Sequence, residues 1–255
     1  MVAALAGVAV TDIADVGRRA IKDVWNPPPP NTLKVLTGWP AASACDQGSR
    51  VAMPKGGPPV TAIDLDDFQK EPRNIAAEKG AASWARGVLN LTLSTEGKDK
   101  ISVESVIPHV KGRNRTTAYD WVLQKTQSCG GGGGGPSHLH LDLERQKLFD
   151  VVDGKQAAHP VPGNSMITGK TVTRDEPAYV TVDVSSCTAS YEWSLTVTYL
   201  LGGKRKQTEL GPFRSAGQVA GVPVYDIRPE SNGTGRVLVD TKETTKATCT
   251  KRTAQ

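Results

Sequence analysis

Glu192-Trp-Ser-Leu-Thr-Val-Thr-Tyr-Leu-Leu201 alternates apolar and polar side chains. In an extended chain, successive side chains point to opposite faces. Trp193, Leu195, Val197, Tyr199 and Leu201 therefore share one face, and Ser194, Thr196 and Thr198 share the other. This is the signature of a strand with one dry and one polar face. Gly202-Gly203 follows and turns the chain, so Lys206–Leu210 is expected to return beside it. Lys204-Arg205-Lys206 then reads as a solvated hairpin tip.

Working outward, the same alternation recurs. Tyr179 to Val184 places Val180, Val182 and Val184 inside, and Ser137–Leu143 (SHLHLDL) does the same with Leu139, Leu141 and Leu143. Val88–Leu93 buries Leu89, Leu91 and Leu93. Ile101–Val106 follows across Glu96-Gly97-Lys98-Asp99, a turn-rich junction that predicts a hairpin between the two. Trp121–Leu123, Val222–Ile227 and Arg236–Asp240 are weaker strand candidates. About ten short strands separated by Gly and Pro turns predict a mainly β fold, an antiparallel β-sandwich-like body. One short internal helix is expected within 66–85, started by Asp66 and Asp67, carrying Ile75 and Ala76 beyond Pro72 and ended by Gly80.

The chain has 255 residues, of which 38% are hydrophobic and only 5% aromatic. That is enough for one large domain or two ordinary ones. Glycine (26) and proline (17) are frequent, which fits many turns. Residues 2–10 are nine apolar residues in a row, but no stretch reaches the roughly 18 apolar residues a spanning helix needs. They read as the second half of a truncated membrane anchor. Residues 11–25 carry Ile13, Val16, Ala20, Ile21 and Val24 at helical spacing, and Pro27–Pro30 stop them. The expected organisation is a helical and polyproline stalk over 1–30, a β-rich body over 31–240 and a flexible tail over 241–255.

Charge bounds the partners. Net charge is +5, from 31 Lys+Arg against 26 Asp+Glu, and it is dispersed. The densest groups are Lys111, Arg113 and Arg115, then Lys204-Arg205-Lys206, and the tail Lys242–Arg252. Neither aromatic platforms nor a recognition helix accompany these groups, so nucleic acid is not an expected partner. The loops around Lys111–Arg115 and Gly130–Gly135 are instead the expected partner-binding surface, because a rigid sandwich presents function at its ends.

The four cysteines, Cys45, Cys129, Cys187 and Cys249, include no CxxC pair. Wide spacing in a turn-rich β chain fits two structural disulfides in an oxidising compartment. Three pairings are open. Cys45 with Cys129 and Cys187 with Cys249 are favoured, because each would tie a loop-like or tail segment to something more ordered.

Chemistry is sparse. His138-x-His140-x-Asp142-x-Glu144 places four side chains on one strand face, and His138, His140 and Asp142 are candidate ligands for zinc or another transition metal. Such a site needs a further element to complete it, and no resident cofactor is expected. GxSxG, SxxK and HExxH are all missing, so no catalytic residues are assigned and the protein reads as non-enzymatic.

Several of these segments recur together in a known order. Gly38-Trp39 precedes Ala44-Cys45-Asp46; Ile101–Ile107 is followed by a basic stretch; Cys129-Gly130 precedes His140–Leu143. Ser186-Cys187 then leads to Tyr191-Glu-Trp193, and Gly211-Pro-Phe-Arg214 to Val224-Tyr225. This order, over about residues 31–230, resembles a family of uncharacterised actinobacterial (Streptomyces-type), membrane-anchored β-rich proteins, sometimes labelled transcriptional regulators. Members often carry Cys-x-Cys around Cys187. Here Ala189 stands at the second position, which makes Cys249 a substitute partner. The resemblance implies architecture and location, and no activity.

Together these features predict an extracytoplasmic binding or sensing module, meeting a protein or envelope ligand of unknown identity. Membrane association would run through the N-terminus. The rival reading is an intracellular regulatory domain associated with transcription control, and a third is a metal-dependent hydrolase.

Overall fold

The computed structural model describes residues 32–41, 49–67, 70–95, 97, 99–125, 137–152, 155–157, 167–231 and 235–247. The stalk expected over 1–30, the glycine run and Cys45, Cys129 and Cys249 lie outside these residues.

In chain order the elements begin with β1 (Leu33–Gly38), β2 (Val51–Pro54), a 3₁₀ turn (Val60–Ala62) and helix α1 (Pro72–Glu78). Then come β3 (Ala82–Trp84), β4 (Arg86–Thr95), β5 (Ile101–Asn114), β6 (Tyr119–Lys125), β7 (Ser137–Asp142) and β8 (Lys147–Val152). β9 (Lys155–Gln156), β10 (Thr171–Val172), β11 (Ala178–Ser185), β12 (Ser190–Leu201), β13 (Lys204–Ala216), β14 (Pro223–Pro229) and β15 (Arg236–Thr244) complete the chain.

They build two sheets. One has six strands in the order β1-β4-β11-β7-β8-β9, and the other nine in the order β10-β5-β12-β13-β3-β2-β6-β14-β15. The body is a mainly β, sandwich-like fold. Pairing is antiparallel except between β11 and β7, β13 and β3, and β14 and β6.

The alternation seen in the sequence sets the main core. Leu89, Leu91 and Leu93 of β4, Leu139 and Leu141 of β7, and Val180, Val182 and Val184 of β11 face inward from the six-stranded sheet. Ile101 and Val103 of β5, with Trp193, Leu195, Val197 and Tyr199 of β12, belong to the same cluster. Each such side chain contributes about 1.5–3 kcal/mol by leaving water. Trp193 also stacks edge-on against Trp39 (5.2 Å) and packs on Phe213 (4.7 Å).

The β12–β13 hairpin forms as predicted. Leu201 pairs with Lys204 around Gly202 and Gly203, which both take positive φ (56° and 76°). A two-residue turn of this kind needs that conformation at both positions, and glycine adopts it without strain.

Three expectations are corrected. First, β4 and β5 do not form a hairpin. β4 pairs with β1 and β11 in the six-stranded sheet, and β5 pairs with β10 and β12 in the other. Both strands bury an apolar face, and the chain between them crosses so that these faces meet across the sandwich. Second, α1 starts at Pro72, not at Asp66 and Asp67. Glu71 caps it with an extended backbone (φ −77°, ψ 123°), and proline suits the first helical position because its missing N–H has no partner there anyway. Gly80, at φ +103°, follows its end. Third, the chain beyond Asp240 is not a frayed tail at its start. β15 runs to Thr244, and buried Thr245 bonds Val222 O (2.9 Å) through its N–H and Val219 O (2.5 Å) through its hydroxyl.

Beyond β13, strands β2, β3 and β6 of the nine-stranded sheet bury residues on both faces. Val51, Met53, Trp121, Leu123 and Ile227 pack with Ile75 and Ala76 of α1. Ala52, Val122 and Val224, from the opposite face, pack with Ala82, Trp84 and Ala216.

Candidate functional site

The outward face of the six-stranded sheet collects the polar half of each alternating strand. Register places Leu36, Thr92 and Tyr179 in one row across β1, β4 and β11. The next row holds Gly38, Asn90, Thr181 and His138 across β1, β4, β11 and β7. Below it, Asp183 stands beside His140, and Ser185 beside Arg86 and Asp142.

Asp183 ties this face together diagonally. Its Oδ2 meets His138 Nε2 at 2.9 Å, and its Oδ1 accepts from Arg86 Nη2 at 3.1 Å. Thr181 Oγ1 donates to Asn90 Oδ1 at 3.1 Å, and Ser185 Oγ lies 3.3 Å from His140 Nε2. Strand β11 holds Thr181 and Asp183 in a ladder on both sides, with β4 on one and β7 on the other. A carboxylate shared by two donors is also a stronger anchor than a neutral hydrogen bond.

The metal expectation is corrected by this geometry. His138, His140 and Asp142 do share a face, but positions two apart on a strand lie about 7 Å from each other. The side chains then turn to different partners: His138 to Asp183, His140 to Ser185, and Asp142 to the backbone (3.1 Å) and guanidinium (3.5 Å) of Arg145. No group of three or more His, Cys, Asp or Glu side chains among the described residues is placed to hold a metal. Burial pushes the His140 imidazole below its ordinary value, against the opposing pull of Asp183 and Asp142.

The basic cluster is corrected too. Lys111 and Arg113 lie within β5 rather than on a loop; Arg115 follows the strand and is exposed. Lys111 Nζ pairs with Glu209 at 2.6 Å. Arg113 Nη2 pairs with Glu144 at 2.9 Å and stands 5.7 Å above the Tyr191 ring, a cation–π contact.

Glu144, the last polar member of the histidine stretch, points away from it and clamps the β11–β12 connection. It accepts from Cys187 N (3.1 Å), Thr188 N (2.6 Å) and Thr188 Oγ1 (3.0 Å). Burial pushes its carboxyl up, but the bonds from Thr188, Tyr191 and Cys187 outweigh that and hold it below the usual range. Tyr191 is raised, by burial first and then by the facing Glu144 carboxylate. Cys187 itself is disulfide-bonded, and its partner lies outside the described residues.

A second polar cluster is buried at the start of α1. Arg73 is fully buried; its Nε donates to Glu71 Oε1 (2.8 Å) and its Nη1 to Ser49 O (2.6 Å). Lys125 Nζ, from the end of β6, lies 3.7 Å from Glu71 Oε2, and burial lowers its ammonium below the ordinary lysine value.

Sequence reading missed Asp183, Arg86 and this buried cluster. For Asp183 the signal was present: it is an outward position of a strand whose inward positions are Ala178, Val180, Val182 and Val184. For Arg73 there was none, since a charged residue in a short helix reads as solvated.

Among the described residues, no helix is long and apolar enough to cross a membrane. No protein-family model matches the chain, and no curated protein and no solved structure matches it either.

Proposed function

We propose that this chain is a non-enzymatic, extracytoplasmic binding or sensing module that meets its ligand on the open face of the six-stranded sheet. The Arg86–Asp183–His138 arrangement carries the reading. It fixes donors and acceptors on an exposed face of a rigid sandwich, with every member held by a strand rather than a loop. Groups placed on strands keep their geometry better than groups on loops.

Cysteine chemistry supports the extracytoplasmic reading. A structural disulfide persists in oxidising surroundings and is rare in the cytosol, and Cys187 is disulfide-bonded. Cys249 is its proposed partner. Gln218 N donates to Cys187 O (2.9 Å), and the neighbouring Val219 O accepts from Thr245 Oγ1. Cys249 is four residues beyond Thr245, and four extended residues reach about 13 Å. Anchoring through the apolar N-terminal segment belongs to the same reading.

The geometry argues against hydrolysis at this face. Ser185 meets His140, but the neighbouring carboxylate, Asp183, bonds His138 and Arg86 instead. A serine–histidine pair without an orienting third group lacks the arrangement that activates a nucleophile.

Co-sedimentation of the purified full chain with actinobacterial cell envelopes tests the proposal. Envelope binding that falls at least tenfold in the Arg86→Ala/Asp183→Ala double variant, with thermal unfolding as the folding control, supports it. Equal or absent binding by both proteins overturns it. So do four alkylatable thiols in the native protein.

A further inference from the structure

We infer that the carboxyl of Glu71 and the amine of Lys125 condense to an intramolecular amide bond, so that the chain cross-links the start of α1 to the end of β6. The inference is independent of the ligand-binding reading above.

Position brings the two groups together. Glu71 caps α1 before Pro72, and Lys125 is the last residue of β6. Both side chains are 6% exposed, and Lys125 Nζ lies 3.7 Å from Glu71 Oε2. Ile227 of β14 stands beside Lys125 in the ladder and belongs with Ile75 and Leu123 to one apolar cluster.

As a permanent ion pair this arrangement is poorly built. Glu71 Oε1 accepts from Arg73 Nε at 2.8 Å, but Oε2 is buried and has no hydrogen-bond partner among the described residues. A buried ion pair offsets its desolvation only with good geometry and with its remaining lone pairs satisfied. Lys125 also shares the site with two guanidinium groups. Burial, joined by Arg236 and Arg73, pushes its ammonium below the ordinary lysine value against the pull of Glu71. A desolvated lysine beside other cations is an activated nucleophile. Condensation removes both charges from the interior and leaves a neutral amide.

The step balances within the pair. Lys125 Nζ attacks Glu71 Cδ, a C–N bond forms and the bond from Cδ to Oε2 breaks. Counted from ammonium and carboxylate, two of the three ammonium protons leave with Oε2 as water, and the third stays on the amide nitrogen. Nothing is oxidised or reduced, and no co-reactant is needed. Negative charge developing on Oε1 during the attack faces Arg73 Nε, and Arg73 is itself fixed through its bond to Ser49 O (2.6 Å). Groups held side by side in this way react at effective concentrations of about 10⁵ M or more when well oriented. The link closes residues 71–125, a stretch without cysteine that no disulfide can tie.

Mass spectrometry of the purified full chain, reduced and alkylated, tests the inference. The expected intact mass is lower than the sequence mass by one water. Trypsin should then release a branched peptide, with 71–73 joined to 116–145, because the acylated Lys125 is no longer cut. Lys125→Met should show neither feature, with cooperative urea unfolding as its folding control. A parent chain at full mass, with 71–73 and 116–125 released as separate peptides, overturns the inference and leaves the binding module standing. So does a missing water that persists in Lys125→Met. The parent's own peptides decide the question even where the variant fails to fold.

Discussion

The six-stranded sheet and the far half of the nine-stranded sheet bury their strands in different ways. In β7 and β11 every second residue is buried and the others reach the outward face. In β2 and β6 consecutive residues are buried: Val51, Ala52 and Met53, then Trp121, Val122 and Leu123. The first sheet is covered on one side by its partner sheet. In the second, Val51, Met53, Trp121 and Leu123 pack with α1 and the 3₁₀ turn on one face, and Ala52, Val122 and Val224 are buried on the other. Periodicity therefore reports how many faces of a strand are dry, rather than whether the segment is a strand. The difference also places chemistry. Only a sheet with a wet face can present the Arg86–Asp183–His138 arrangement to a ligand, whereas the doubly covered region keeps its charges inside.

The sharpest test of this contrast introduces aspartate at consecutive positions. Ala52→Asp and Met53→Asp should both abolish cooperative urea unfolding, because an unpaired buried charge costs more than about 3 kcal/mol. In β4, Leu91→Asp should do the same, while Thr92→Asp should stay within about 1 kcal/mol of the parent. Tolerance of Ala52→Asp would break the comparison.

Arg73→Met probes the buried charges of the doubly covered region. It leaves Glu71 with only the more distant Lys125. Removing one partner of a buried pair costs about 3–5 kcal/mol, to be read from the urea midpoint. A change below about 1 kcal/mol would show that the cluster is solvated after all.

Alternation made β4, β7 and β11 legible because each has one wet face, and β12 legible because its second face is polar although Ser194 and Thr198 on it are buried. It did not identify their neighbours: β4 and β5 looked like a hairpin and stand in different sheets. Alternation records which way a side chain points and carries nothing about the strand alongside. The candidate site divides in the same way. That His138, His140 and Asp142 share a face was readable, but their partners Asp183 and Ser185 are 45 residues away in sequence for the two histidines. β2, β3 and α1 were hard to read because they are short and buried on more than one side.

A smaller effect is expected at Glu144, which clamps the loop carrying Cys187. Glu144→Gln keeps the shape but weakens charge-assisted bonds, and should cost about 1–2 kcal/mol in chemical denaturation at neutral pH. The sign with pH is fixed by its lowered carboxyl. The unfolded chain binds the proton first, so this stabilisation is present above the unfolded value of about 4.3 and fades as pH falls through the lower folded one. The variant should accordingly lose less stability than the parent on acidification.

The smallest effect concerns His140 on the outward face, where burial outweighs the opposing pull of Asp183 and Asp142, with Arg86 and His138 acting in the same direction as burial. Its folded value lies below the unfolded value of about 6.5. The unfolded state therefore takes up the proton first, and stability should fall as pH drops from about 7.5 to about 5.5. His140→Gln should flatten that part of the curve of melting temperature against pH. An unchanged slope would assign it to other groups.

The sequence by itself determined that the chain is β-rich, which faces of its regular strands are dry, and where the β12–β13 turn lies. These are local consequences of side-chain alternation and of glycine at positive φ. Tertiary structure alone decided that β4 and β5 part into opposite sheets, that a second stretch of sheet is covered on both sides, and that Asp183 gathers Arg86 and His138 onto one open face. Those outcomes depend on which strands become neighbours and in what register. That choice is made by burying apolar faces between segments far apart in the chain, and no single segment carries the information.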